Sequence, residues 1–308
     1  MADLKVNFCG VDFPNPLILP SGIAQEIPGD HLRAVEAGAG GITLKSLTPL
    51  PREGYLFPRV IKYESGILNA VGLRNPGIDK GVVLVKDYMN KVEIPTIVSL
   101  WSDSIEGFEM MVKKIASIKP HFIELNLSCP HVHTKAGTVM SMQSSDAAKA
   151  VKAAKKYAGK IPLIAKLTPN VSDIATVAKM CENSGANAIC AVNTVGPGMV
   201  IDIKTRKPIL GNKRGGVSGP GIKPIAVRCV YDIYEAIKIP IIGMGGVTTW
   251  QDAVEMIMAG ATLIGIGSAV FAKGYKVYQE VKQGLKEFIE TEKINCLKEL
   301  VGAAHRPD

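Results

Sequence analysis

Residues 240–268 read Pro-Ile-Ile-Gly-Met-Gly-Gly-Val-Thr-Thr-Trp-Gln-Asp-Ala-Val-Glu-Met-Ile-Met-Ala-Gly-Ala-Thr-Leu-Ile-Gly-Ile-Gly-Ser. A short apolar run, Pro240 to Gly246, gives way to a segment of helical period from Thr249 to Ala259, and a second apolar run follows from Leu263 to Val270. Thr249 is a good helix cap, and Ala259-Gly260 ends the segment with a residue that accepts the left-handed turn into the next strand. Ile- and Leu-rich runs without polar alternation suit strands covered on both faces, so the unit is strand–helix–strand with parallel strands.

The same unit recurs outward from this stretch. Apolar runs at Leu17 to Gly22, Gly41 to Ser46, Thr96 to Trp101, Phe122 to Ser128, Pro162 to Leu167 and Ala188 to Thr194 bring the total to eight. Helix candidates lie between them at Asp146 to Ala158, Ser172 to Ser184 and Lys223 to Ile237, and Ala37-Gly38 and Ser184-Gly185 repeat the glycine stop. Eight strands predict a closed (β/α)8 TIM barrel forming one domain over residues 1–308, preceded by an N-terminal β-hairpin; an open doubly wound sheet is the alternative. Residues 47–79 and 195–221 fall outside the repeat, as insertions after strands 2 and 6. Both follow strand C-termini, the barrel face that carries active sites. The lysine-rich 275–300 region reads as a closing helix.

Composition narrows the function classes. The chain has 308 residues, 47% hydrophobic and 21% charged, with no window long and apolar enough for a membrane span and no basic-then-apolar leader at Met1-Ala2-Asp3-Leu4-Lys5. A cytoplasmic protein is expected. The net charge of +8 comes from lysines spread over helices, as in Lys152-Ala-Ala-Lys155-Lys156, which argues against nucleic acid as a partner. The cysteines Cys9, Cys129, Cys181, Cys190, Cys229 and Cys296 include no CxxC pair, so the chain writes neither a zinc ribbon nor an iron–sulfur cluster.

Polar groups gather at the expected strand ends: Ser21, Lys45 with Ser46, Asn126 with Ser128 and Cys129, Lys166, and Asn193 with Thr194. Gly245-Gly246 and Gly267-Ser268 follow strands 7 and 8, where barrels build phosphate sites from backbone N–H groups. Lys45 and Lys166 sit in apolar runs, where an ammonium needs an anion or several acceptors; a snorkelling lysine is the plainer reading. Pro130 ends strand pairing and presents Cys129 at the mouth, where a thiol of pKa about 8.5 can serve as a base near neutral pH if neighbours adjust it modestly, although a cysteine in such a turn is more often structural. Asn69, Asn126 and Asn193 offer the donors and acceptors that a planar ring of alternating carbonyl and N–H groups requires; singly, each is an ordinary turn residue. His131 and His133 would share a side of an extended strand, but with five histidines in the chain and no carboxylate close by in sequence no metal is expected.

Three stretches together resemble the class 1 dihydroorotate dehydrogenases: Asn126-Leu127-Ser128-Cys129-Pro130, Asn69-Ala70-Val71-Gly72-Leu73 with Asn75-Pro76-Gly77, and Gly216-Val217-Ser218-Gly219-Pro220. Asn193-Thr194 is similar to class 1B, which reaches its acceptor through a separate subunit. The resemblance implies FMN held by Ser21, Gly22, Lys45, Ser46, Asn126, Lys166, Asn193, Gly219, Gly245, Gly246, Gly267 and Ser268, with Lys166 near the flavin's pyrimidine edge. It implies dihydroorotate or orotate held by Lys45, Asn69, Val71, Gly72, Leu73, Asn126, Asn193 and Thr194. Cys129 would take the proton from ring carbon 5 while hydride leaves carbon 6 for the flavin. Class 1B further implies a partner carrying FAD and an iron–sulfur cluster, in a homodimer or heterotetramer.

Two residues depart from the family pattern. His131 replaces an asparagine and is similar to the pyrimidine-reducing domain of dihydropyrimidine dehydrogenases, which keeps a uracil or thymine reductase as the alternative; that relative's acid cysteine lies in a later loop, and none occurs between Cys129 and Cys181 here. Ser99 stands where an asparagine often lies near the flavin. A barrel serving only as a binding subunit is the third reading, disfavoured because clustered buried polar groups destabilise a scaffold that does not use them.

Overall fold

In the computed structural model, residues 3–24, 29–128 and 144–307 are described. Eight parallel strands close into a barrel: Leu17–Leu19, Gly41–Thr43, Thr96–Leu100, Phe122–Asn126, Leu163–Lys166, Ala188–Ala191, Ile241–Met244 and Ala261–Gly265, here barrel strands 1 to 8. Each pairs with its neighbours in sequence order, and strand 8 returns to strand 1. Helices Gly29–Glu36, Ile78–Met89, Ile105–Ala116, Ser144–Ala158, Ile174–Asn183, Lys223–Ala236, Trp250–Met258 and Val277–Thr291 follow the strands in turn. Their starts have chemical causes: Ser104 accepts from the Gly107 N–H, Asp173 from Thr176, and Thr249 with Asp252 forms a reciprocal capping box.

All eight expected strands exist, but each stops short of its expected end. Strand 1 ends at Leu19 rather than Gly22, strand 6 at Ala191 rather than Thr194, and strand 8 spans Ala261–Gly265 with a short helix, Ala269–Lys273, where strand was expected to run to Val270. Past these points single backbone bonds still link neighbouring segments, as from the Leu127 N–H to the Lys166 carbonyl and from the Val192 N–H to the Met244 carbonyl. The closing helix is likewise shorter than expected, at Val277–Thr291.

The barrel is closed at its N-terminal end. A hairpin of Val6–Phe8 and Val11–Phe13 inserts Phe8 and Phe13 beneath Phe122 of strand 4, with ring centroids 5.7 to 6.2 Å apart. Ile18, Ile97, Ile164, Ala188, Ile242 and Leu263 complete this interior core, while a larger apolar layer fills the space between strands and helices.

The two insertions meet at the other end. Val60–Tyr63 and Gly66–Asn69 from the first, with Val195–Gly198 and Gly215–Ser218 from the second, form one four-stranded antiparallel sheet. Gly216 pairs with Asn69 and Ser218 with Ile67, and Leu68, Ala70 and Leu210 give the sheet its own small core.

Candidate active site

Strand alternation carries the barrel interior from apolar to polar. Along strand 4, Phe122, Glu124 and Asn126 are two residues apart and so share the inward face, each at most 7% exposed. Above the aromatic plug, Ser99 of strand 3 faces Glu124, and Lys166 ends strand 5 in register with Asn126. The mouth opens into a cavity under the four-stranded sheet, lined by residues from both.

Nearly every residue singled out from sequence reaches this cavity. Its wall includes Ser21, Gly22, Lys45, Ser46, Asn126, Lys166, Asn193, Thr194, Gly245, Gly246, Gly267 and Ser268 from the strand ends, and Asn69, Val71, Gly72 and Leu73 from the first insertion. Gly219 is not among them. Its neighbour Ser218 lines the wall instead, and Gly219 lies so close to Gly66 that a Cβ would come within 2.7 Å of the Gly66 Cα. Cys129, His131 and His133 lie outside the described residues.

Three kinds of group face one another. At one end, the loops after strands 7 and 8 present the N–H groups of Gly246, Gly267 and Ser268, none of which meets an acceptor among the described residues. Gly246 has φ 77°, and a Cβ there would strike the Lys223 backbone at 2.9 Å, so only glycine lets the loop lie this close. Asp252 stiffens that loop by accepting from the Thr248 and Thr249 N–H groups, both at 2.9 Å, and from Lys223 Nζ at 2.9 Å. Burial alone would raise the Asp252 carboxyl, but these donors hold it down at about 2.

The second kind is cationic. Lys45 is 9% exposed, and its ammonium is pushed down to about 8, first by burial and then by the positive charges of Arg74 and Arg59. Lys166 is more deeply buried, and burial, the largest single influence, would lower it, yet Glu124 and then Cys190 together leave it above the ordinary lysine value. Cys190 faces the same pair, and burial pushes its thiol well above the ordinary value. Arg59 and Arg74 were not foreseen; the signal was their place in an insertion expected over the mouth.

The third kind is the amides. Asn193 Nδ2 donates to the Ser128 carbonyl at 3.1 Å and hydroxyl at 2.8 Å, while Asn126 Oδ1 accepts from the Ser128 N–H at 3.3 Å. Ser128, one residue before Cys129 in the chain, is therefore clamped by two of the asparagines. Asn69 Nδ2 donates to the Gly216 carbonyl at 3.3 Å, tying the two insertions together. Ser99 is not among the residues that line the cavity. It lies beneath the wall, bridging Ser46 at 2.8 Å and Glu124 at 2.8 Å. The apolar lining from Val60, Ile67, Val192, Ile222 and Met244 was also unforeseen.

A family model described as dihydroorotate dehydrogenase matches residues 3–289. The chain belongs to the dihydroorotate dehydrogenase family. Among its relatives is the protein named dihydroorotate dehydrogenase B (NAD(+)), catalytic subunit, from Thermococcus kodakarensis, 43% identical over 304 residues that cover 99% of each chain. Proteins of the same name from Pyrococcus abyssi, 43% identical over 98% of this chain and 99% of theirs, and Methanocaldococcus jannaschii, 41% identical over 98% of both, are similarly close. The family is one of oxidoreductases, and these relatives agree with the class 1B resemblance. The readings as a uracil or thymine reductase and as a non-catalytic barrel give way to this match. Among the described residues no helix is long and apolar enough to cross a membrane.

Proposed function

We propose that this chain is the FMN-binding catalytic subunit of a class 1B dihydroorotate dehydrogenase, oxidising dihydroorotate to orotate in pyrimidine biosynthesis. One observation carries the reading: a single cavity joins free backbone donors after strands 7 and 8, two buried lysines and three asparagines. The residues present fit FMN. Gly246, Gly267 and Ser268 offer N–H donors to a phosphate, Ser21, Gly22 and Ser46 line the wall between, and Lys166 sits deep in the barrel where a pyrimidine edge would need a positive partner. FMN, when bound, supplies the acceptor for the hydride that leaves the substrate.

The chain's own residues do the rest. Asn69, Asn126 and Asn193 each retain hydrogen-bonding capacity beyond the bonds described above, enough to fix a planar ring with alternating donors and acceptors. Lys45, with Arg59 and Arg74 behind it, favours a substrate bearing a carboxylate over a neutral pyrimidine. Proton removal from ring carbon 5 falls to Cys129, which follows the clamped Ser128 in sequence. A partner subunit carrying FAD and an iron–sulfur cluster would take the electrons onward, since this chain has no CxxC pair to hold a cluster. The relatives' naming as catalytic subunits supports such a partner, and the class 1B resemblance supports a homodimer or heterotetramer, here proposed for the cytoplasm.

The test is anaerobic titration of the FMN-loaded protein with dihydroorotate, following the visible flavin band. Bleaching with release of orotate is expected. A protein that stays yellow overturns the substrate, and one that takes up no FMN overturns the cofactor.

A further inference from the structure

Beneath the cavity floor lies a buried carboxylate that the proposed chemistry leaves without a task. Glu124 is 1% exposed and does not line the wall. A charge held there is expensive unless it is paired and hydrogen-bonded. It has two kinds of partner, and both lead up to the cavity.

One is electrostatic. Glu124 stands two residues below Asn126, which is in register with Lys166, so carboxylate and ammonium are diagonal neighbours on strands 4 and 5 inside the barrel. Among the described residues, the charged or titratable groups around Lys166 are Glu124, the thiol of Cys190 on strand 6, and Lys45, which lines the same cavity. Of these, Glu124 is the one carboxyl group.

The other partner is a hydroxyl relay. An ionised carboxylate only accepts, so Ser99 Oγ donates to Glu124 at 2.8 Å. Ser99 has then spent its proton and must accept from Ser46 Oγ at 2.8 Å. Ser46 Oγ in turn accepts from Asn126 Nδ2 at 3.0 Å and from Ser21 Oγ at 3.1 Å, while Ser21 Oγ accepts from the Ser46 N–H at 3.1 Å. The direction of every bond follows from the acceptor at the bottom. It leaves the Asn126 amide oriented with Oδ1 towards Ser128.

We infer that Glu124 is a positioning residue for the cofactor: its carboxylate keeps Lys166 charged, and through Ser99 and Ser46 it sets the donor direction of Asn126 and Ser21 on the cavity wall. The inference rests on the FMN reading for its consequence, but not for its geometry. Glu124→Gln separates the two roles, because the Gln carbonyl still accepts from Ser99 while the charge is gone. Ser99→Ala does the converse, breaking the relay and leaving the charge.

FMN affinity of the flavin-free full chain is measured from pH 7 to pH 9 in wild type and both variants. Lys45 titrates in this range in all three proteins, so the ratio of variant to wild-type Kd isolates Lys166. For Glu124→Gln that ratio should grow about tenfold or more between pH 7 and pH 9, as Lys166 loses its proton. For Ser99→Ala it should be raised and constant, and Glu124→Asp should restore the wild-type pH profile. A constant ratio for Glu124→Gln overturns the inference. Independently, the Lys166 side-chain resonance of the flavin-free wild type should titrate above 10.5, the ordinary lysine value, and titration below it overturns the inference even if Glu124→Gln fails to fold. If wild type takes up no FMN, the cofactor reading fails, while the resonance still decides whether Glu124 holds Lys166 charged.

Discussion

The two ends of the barrel are built on the same strands and oppose each other in every other respect. At the N-terminal end, Phe8, Phe13 and Phe122 fill the interior with ring against ring; at the C-terminal end, Lys45, Lys166, Glu124 and Asn126 are almost as deeply buried. Strand 4 crosses from one regime to the other within five residues, Phe122 to Asn126. Apolar burial at the bottom supplies stability, and the polar mouth draws on it to hold charges that water would solvate better. Closure is thus the work of one end and chemistry the work of the other.

That division can be broken from either side. The largest effect is expected at the plug: Phe13→Ala should destabilise the fold by about 3–5 kcal/mol in urea unfolding, with dihydroorotate oxidation per folded molecule nearly unchanged. A comparable loss of activity would show that plug and mouth are not separable. The opposite sign is expected at the mouth. Lys45 has a folded-state pKa of about 8, below its unfolded value of 10.5, so its penalty is fully present below pH 8 and fades as pH rises towards 10.5. Lys45→Met should therefore stabilise the free protein at pH 7 by up to about 3 kcal/mol, lose that gain above pH 10.5, and lose orotate binding. Equal or lower stability at pH 7 would remove Lys45 from the class of strained functional residues. The smallest effect sharpens the same point: orotate affinity of the wild type should fall about tenfold per pH unit above pH 8, with proton uptake on binding visible by calorimetry in buffers of different ionisation enthalpy. A flat profile would mean that the bound anion does not touch Lys45.

The barrel was legible because parallel strands covered on both faces leave a continuous apolar record, and the glycines of Gly38, Gly185 and Gly260, all at positive φ, mark where helices turn back. The cavity wall was legible because Lys45, Lys166 and Asn126 are polar residues in or at the end of apolar runs. The roof was not. Gly66–Asn69 and Gly215–Ser218 are four-residue strands that pair with each other from different insertions, and no local pattern reports a pairing of that span. Gly219 was placed on the wall by motif, whereas strand alternation puts Ser218 there. Ser99 and Glu124 lie 25 residues apart on neighbouring strands, and only the register of strands 3 and 4, which sets them opposite each other, turns a serine and a glutamate in two apolar runs into one relay.

The roof also sets an order of assembly. Asn69 and Gly216, bonded across the sheet, are 147 residues apart in the chain, and four of the eight barrel strands lie between them. The entropy of bringing such distant segments together is recovered only once the strands between have closed, so the sheet over the cavity is a late event in folding. A chain halted before that step is a barrel with an open mouth, its lysines still in water.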